Sequence, residues 1–383
     1  MWFHPGVSDA EQIERGEALK AMILAAGKGT RMQPLTYELP KPMIPMLGKP
    51  VMEYLVEALS RHGFDQIMIN VGHLANRIEN YFGNGQRWGV EIGYSFEGHI
   101  EQGQVVAEPV GSAGGLRRIQ DFSHFFDDTL LVVCGDALID LDLTAALRKH
   151  WQSGALASLV VSAVPDHRLS DYGVVVCDNT GRVETFQEKP EPGKARSNLV
   201  NTGIYLFEPA VLDLIPAGCS YDIGSQLFPK ILTEGQHLQA IRMAFNWIDI
   251  GRLSDYWEAS QQLMRGQVRN ITMPGTQVRP GVWVGLNVRA DWDALDIEGP
   301  VYIGSSSHIE TGARIVGPCW IDQGCYVRAG AQVSRSILFG YTQISEVALL
   351  QDCVVFGRFC VDKYGNPLTS ATQTDWVTDA RIR

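Results

Sequence analysis

In Leu19-Lys20-Ala21-Met22-Ile23-Leu24-Ala25-Ala26-Gly27-Lys28-Gly29-Thr30-Arg31, the apolar run 21–26 reads as a buried strand. The glycines at 27 and 29 read as the turn that leaves it. Working outward, Val51, Tyr54, Leu55, Ala58 and Leu59 recur at the spacing of one apolar helix face. Strands follow at 66–71 and 90–96 with a helix at 74–82 between them. Residues 130–134 are all apolar, as expected of a strand covered on both faces. A helix at 143–152, a strand at 156–164, a hairpin turning on Asp178-Asn179-Thr180-Gly181 and a helix at 254–264 complete the series. This βαβα order predicts an α/β fold, a Rossmann-like, mostly parallel sheet with helices on both sides.

Beyond residue 265 the pattern changes. Ile297, Ile303, Ile309, Ile315, Ile321, Val327, Val333 and Phe339 fall on a beat of six, with Val282 and Val288 sharing it upstream. Eight such coincidences arise by chance about once in six hundred trials at this composition. Six residues suit one face of a triangular coil, each face offering one inward aliphatic that only the neighbouring coils can bury. The expectation is a left-handed parallel β-helix of hexapeptide repeats whose pattern dissolves after Phe339. The predicted division is a polar N-terminal extension (1–19), an α/β domain (20–265), the β-helix (266–365) and a tail (366–383).

Composition limits the partners. The 383 residues carry 32 Lys and Arg against 43 Asp and Glu, a net charge of −11. That argues against a broad nucleic-acid or acidic-lipid surface. No run approaches the roughly 18 apolar residues of a membrane helix. The start, Met1-Trp2-Phe3-His4-Pro5, lacks a basic, then apolar secretory signal. Seven dispersed cysteines without CxxC spacing read as reduced thiols of a cytoplasmic protein.

The glycine turn is neither a Walker A loop nor a dinucleotide GxGxxG. It nevertheless presents backbone N–H groups at the carboxyl end of a strand, with Arg31 and Lys41 close in sequence, which suits phosphate. Asp136, in Val132-Val133-Cys134-Gly135-Asp136, falls just past a buried strand, on the rim where α/β ligands bind. Asp249, in Trp247-Ile248-Asp249-Ile250-Gly251, is a second carboxylate in similar surroundings. Together they suit a hard cation such as Mg²⁺. Asp140 and Asp142 read instead as charges at a helix start, and Ser112 has an alternative as a helix cap.

The string G-K-G-T-R-M-x-P-L-T at 27–36, followed by Pro40-Lys41-Pro42, resembles the signature of the sugar-nucleotide pyrophosphorylases, the nucleoside triphosphate:sugar-1-phosphate nucleotidyltransferases. The resemblance runs from about residue 20 to the β-helix. It implies that Leu24, Ala26, Gly27, Gly29, Thr30 and Arg31 wrap the nucleotide, with Lys41 assisting at its phosphates. It implies a nucleobase contact from the loop carrying Gly111, Ser112 and Gly115. Tyr172, Gly173, Glu188 and Asn201 would bind the sugar, Lys189 its phosphate, and Asp136 and Asp249 the Mg²⁺. Arg31, Lys41, Asp136, Lys189 and Asp249 would carry catalysis.

Several strings, among them H-G-F-D-Q-I-M, C-G-D-A-L-I-D-L-D-L and V-F-G-R-F-C-V-D-K, are similar to the cyanobacterial type of UDP-glucose pyrophosphorylase. They imply UTP and glucose-1-phosphate. Residues 111–116, G-S-A-G-G-L, are nearer the guanylyltransferase form and keep mannose-1-phosphate guanylyltransferase open, with ADP-glucose synthesis third. A non-catalytic regulatory subunit of this fold would be expected to lack Arg31, Lys41, Asp136 or Lys189. An acyl-transfer site in the β-helix has only His308 to draw on beyond His237. The β-helix is expected to serve a homo-oligomer.

Overall fold

Strand β1, Leu19–Leu24, lies between β2, Phe64–Val71, and β4, Leu130–Cys134, parallel to both, and β3, Glu91–Phe96, extends the parallel block beyond β2. The computed structural model describes residues 19–101, 104–269, 271–357, 359–368, 377–379 and 381. The expected N-terminal extension, apart from Leu19, and most of the expected tail therefore lie outside the described residues. Ala21, Met22, Ile23, Val132 and Val133 are all buried, which is why β1 and β4 read as unbroken apolar runs rather than alternating ones.

The chain divides into two compact units, one of residues up to Lys28 with Met52–Trp247, the other of Gly29–Val51 with Ile248 onward. In the first unit β8, Leu199–Phe207, runs antiparallel to β4 and also to β5, Ala157–Ala163, and β6, Gly173–Cys177. Strand β7, Val183–Glu188, closes the β6 hairpin, and β9, Leu238–Arg242, lies parallel to β5. The sheet order is β7-β6-β8-β4-β1-β2-β3, with β5 and β9 off β8. The Rossmann-like sheet is the one the element order predicts; β8 makes it mixed, because it runs antiparallel to β4, β5 and β6. Helices α1, Val51–Arg61, α2, Ala75–Phe82, α3, Ser112–Ser123, and α4, Leu143–Ser153, match the predicted helices and the glycine-led one. Asp142 caps α4, accepting from the Ala145 N–H at 2.9 Å. Asp140 does not serve the helix as expected: its carboxylate accepts from the backbone and side-chain nitrogens of Asn246, at 2.5 and 2.7 Å.

In the second unit strands stack as a parallel β-helix. Val301–Ile303 pairs with Cys319–Ile321, Asp296–Glu298 with Arg314–Val316, and His308–Ile309 with Tyr326–Val327, each one coil apart. Ile303, Ile309, Ile315, Ile321, Val327 and Val333 are each 0–1% exposed and form the interior column. The column does not dissolve after Phe339, as the sequence suggested. It continues one residue out of phase through Leu338, Ile344 and Leu350, because Ile321 pairs with Leu338 across a coil one residue short. The slip falls at Arg335, held at φ 44° and clamped to Asp352 through Nε and Nη2 at 2.7 and 3.0 Å. Phe339 therefore leaves the column and packs on Phe356 and Tyr256, ring centroids 5.0 and 6.3 Å away. Tyr256 lies on α5, Leu253–Met264, whose Trp257 donates its Nε1–H to the Arg335 carbonyl at 2.8 Å. By its contacts α5 belongs with the β-helix unit.

Candidate active site

Within the first unit the sheet brings most of the expected residues to one edge. Leu24 is in register with both Asn70 and Cys134, and the Gly135 N–H carries the pairing on by donating to the Leu24 carbonyl at 3.0 Å. The turn 25–28 and the half-buried Asp136 thus leave adjacent strands at their carboxyl ends, the edge at which open α/β sheets take ligands. Because β8 runs the other way, its start comes to the same edge. Gly203, at φ 75°, lies where a Cβ would stand 2.6 Å from the Cys134 sulfur, so no larger residue fits there without displacing the Cys134 side chain, two residues before Asp136. Asn201, two residues earlier, accepts from the Gly203 N–H and donates to the Tyr205 hydroxyl, each at 3.0 Å.

The hairpin adds a second group. Tyr172 precedes β6 and Glu188 ends β7, and Gly173 pairs with Glu188. The Glu188 carboxyl is pushed up by burial, with Lys189 opposing and Asp222 adding to the rise. The Lys189 ammonium stands 3.5 Å from it. Lys189 is a non-glycine residue at φ 43°, a conformation that costs energy and is kept where the surroundings enforce it. The Tyr172 ring packs on Trp247, centroids 5.2 Å apart, and its hydroxyl accepts from Arg168 at 2.5 Å.

The third glycine loop is laced to both neighbours. Its helix, α3, has Gly111 at the N-cap with no side-chain cap. Ser112 is not that cap. Its hydroxyl donates to the Asp222 carboxylate and accepts from the Ile223 N–H, both at 2.8 Å. The first-turn N–H groups of Ala113 and Gly114 donate to the Tyr221 carbonyl, at 2.9 and 2.8 Å, so these two serve the loop rather than an anion. Burial alone would raise the Asp222 carboxyl; hydrogen bonds from Ser225, Ser112 and Gly224 outweigh it and hold it below the usual carboxylate range. On the other side, Ala25 N–H donates to Asn70 Oδ1 at 2.7 Å, Asn70 Nδ2 to Glu97 Oε1 at 2.6 Å, and Val110 N–H to Glu97 Oε2 at 3.2 Å. Asn70, Glu97 and Asp222 escaped the sequence reading. The signal for the first two was a polar residue within or closing an apolar strand run, Ile69-Asn70-Val71 and Phe96-Glu97.

Gly29, Thr30, Arg31, Lys41 and Asp249 belong to the second unit. There residues 30–32 form a single 3₁₀ turn, and the Gly29 carbonyl accepts from the Met32 N–H and the Thr36 hydroxyl at 2.9 and 3.0 Å. Gly29 lies against the Lys41 stem, and Arg31 is exposed. Asp249 ends the short strand Trp247–Asp249 and is half-buried. No group of three or more His, Cys, Asp or Glu side chains is placed to hold a metal among the described residues. Among the described residues no helix is long and apolar enough to cross a membrane.

The chain is similar to known proteins over most of its length. The nucleotidyl transferase family model matches residues 20–266. A UTP–glucose-1-phosphate uridylyltransferase of Synechocystis is 53% identical over 365 residues, 95% of this chain and 94% of the relative. A mannose-1-phosphate guanylyltransferase of Mycobacterium tuberculosis is 32% identical, covering 82% and 83% of the two chains. A crystal structure from Bacillus anthracis, assigned as a glucose-1-phosphate thymidylyltransferase, superposes with a TM-score of 0.55 at 25% identity, over 67% of this chain and 98% of its own. Matched across its sheet and alike over nearly its whole length to a uridylyltransferase, this chain belongs to the nucleotidyl transferase family.

Proposed function

We propose that the protein transfers a uridylyl group from UTP to glucose-1-phosphate, forming UDP-glucose and releasing pyrophosphate. The observation that carries the reading is the gathering of the glycine turn, Asp136, Asn201 and the Gly173–Glu188 pair on one carboxyl edge. The choice of UTP and glucose follows the uridylyltransferase that covers almost the whole chain.

An oxygen of the sugar-1-phosphate attacks the α-phosphorus of the triphosphate, and the bond from that phosphorus to the β-phosphate bridging oxygen breaks, its electron pair leaving with pyrophosphate. A phosphate monoester is already a competent nucleophile, so the residues need only place and neutralise. Leu24, Ala26, Gly27, Gly29 and Thr30 bind the nucleotide, with Arg31 and Lys41 on its phosphates, and Gly111, Ser112 and Gly115 border its base. Tyr172, Gly173, Glu188 and Asn201 bind the sugar, and Lys189 its phosphate. Asp136 and Asp249 would hold Mg²⁺, which when bound offsets charge on the phosphates and polarises the α-phosphorus. We assign this chemistry to residues 20–265 and an oligomerising role, as a homo-oligomer, to the β-helix at 266–365. The setting is the cytoplasm.

The G-S-A-G-G-L loop and the guanylyltransferase relative favour a second reading, GDP-mannose synthesis. Pyrophosphate release, measured for each nucleoside triphosphate against glucose-, mannose-, galactose- and glucosamine-1-phosphate, separates the two. Uridine with glucose dominates on the first reading, guanosine with mannose on the second. Release with neither pair refutes both.

A further inference from the structure

We propose that Asn70 and Glu97 are positioning residues, a buried relay that sets the first and third glycine loops together for the nucleotide. The proposal rests on the reading that both loops bind it. Asn70 and Glu97 are 3% and 2% exposed, and neither side chain faces solvent where a substrate could reach it. The hydrogen bonds run in one direction. The Glu97 carboxylate can only accept, one oxygen from Asn70 Nδ2 and the other from the Val110 N–H. That fixes the Asn70 amide with its oxygen outward, onto the Ala25 N–H. One carboxylate therefore orients the peptide entering the first glycine turn and the peptide two residues before Ser112.

The Glu97 carboxyl is raised by burial, with Asn70, the Val110 N–H and Arg118 opposing the rise. A buried carboxylate has a cost that an apolar pair would avoid, and here both of its oxygens are engaged by the relay. Gly115 supports the same assignment. A Cβ there would lie 2.7 Å from Glu97 Oε1 and 3.2 Å from Asn70 Nδ2. The absence of a side chain at 115 thus leaves room for the relay.

Directionality supplies the test. Glu97→Gln cannot satisfy the chain in either amide orientation. With its oxygen toward Asn70, its NH₂ faces the Val110 N–H. With its oxygen toward Val110, its NH₂ forces Asn70 to turn over and oppose the Ala25 N–H. Asn70→Asp sets two carboxylates against each other. The double variant Asn70→Asp/Glu97→Gln restores every bond with the central one reversed: Asp accepts from Ala25 N–H and from the Gln NH₂, and the Gln oxygen accepts from Val110 N–H. Total charge is unchanged.

The experiment measures UTP binding by calorimetry and the separate KM values for UTP and glucose-1-phosphate, alongside Tm, in the full chain. Each single variant is expected to weaken UTP binding at least about tenfold while changing the glucose-1-phosphate KM less than about threefold. The double variant is expected to return UTP binding to within about threefold of wild type. The proposal is overturned if the singles lower Tm with UTP binding intact, if both KM values rise together, or if the double variant is no better than the worse single or fails to fold. Wild-type protein that binds no nucleoside triphosphate refutes the nucleotidyl-transfer reading itself, and the relay's role with it. Wild-type binding with unaffected variants refutes the relay alone.

Discussion

Replacing Gly203 by alanine tests whether the sheet edge places Asp136 as described. At φ 75° a residue with a Cβ is strained by about 1–2 kcal/mol. The new Cβ would also stand 2.6 Å from the Cys134 sulfur and 3.1 Å from its Cβ, overpacking of a kind that costs roughly 1–3 kcal/mol. The sum, about 2–5 kcal/mol, corresponds to a fall in Tm of roughly 4–20 °C for a unit of this size. The Cys134 side chain must yield, its sulfur by turning and its Cβ by a few tenths of an ångström, and Asp136 lies two residues beyond it. A full 1 Å displacement of a positioned group costs about a hundredfold in rate, so the smaller shift passed to Asp136 should lower kcat by roughly several-fold at a temperature where the variant is folded. The assay pairs a thermal melt with pyrophosphate release at saturating substrates. Adding Cys134→Ala removes the sulfur but not the strained φ, and so should recover about half of the lost stability relative to Cys134→Ala alone. A Gly203→Ala protein with wild-type Tm and wild-type kcat would refute the packing argument and the placement of Asp136 together.

Three further outcomes are expected. Lys189→Ala should raise the KM for glucose-1-phosphate by an order of magnitude or more and leave the UTP KM nearly unchanged, read by initial rates; equal effects on both would remove Lys189 from the sugar phosphate. Leu338→Ala should cost about 2–5 kcal/mol by calorimetry, because Leu338 rather than Phe339 fills the column; a loss under 1 kcal/mol would place it outside. Asp352→Asn should cost about 1 kcal/mol at neutral pH, a figure kept small because the Arg335 pair is partly exposed. The Arg335 hydrogen bond holds the Asp352 carboxyl below its usual range. Its stabilisation is therefore present above the unfolded carboxyl value near pH 4 and lost as pH falls through the lower folded value. The wild-type advantage should vanish in acid, and one that persists there would have another cause.

Much of the sheet was legible because β1 and β4 are buried on both faces and spell it as unbroken apolar runs, and because the hairpin turn at 178–181 carries its own chemistry. The β-helix was legible for the same physical reason, a period imposed by a column that must be filled. Its continuation was missed because the short coil at Arg335 shifts the beat by one residue, and a fixed-period count cannot follow a shortened turn. The glycine loops showed in composition, yet the residues that hold them did not. Asn70 and Glu97 are single polar residues in or beside apolar strands, and Asp222 is far along the chain from the Ser112 it binds. Ser112 and Asp140 illustrate the complementary limit: each has the local look of a helix-start residue, and each is taken by a partner more than a hundred residues away.

The most direct measurement is the rate of pyrophosphate release from UTP and glucose-1-phosphate in Mg²⁺ by wild-type protein and by Asp136→Asn at matched folded fraction. The account predicts robust release by the wild type and a loss of at least about a hundredfold in the variant, with an unchanged melt. Release by the variant at close to the wild-type rate would contradict it, because a carboxylate placed at the carboxyl edge to hold the cation could not then be neutralised without consequence.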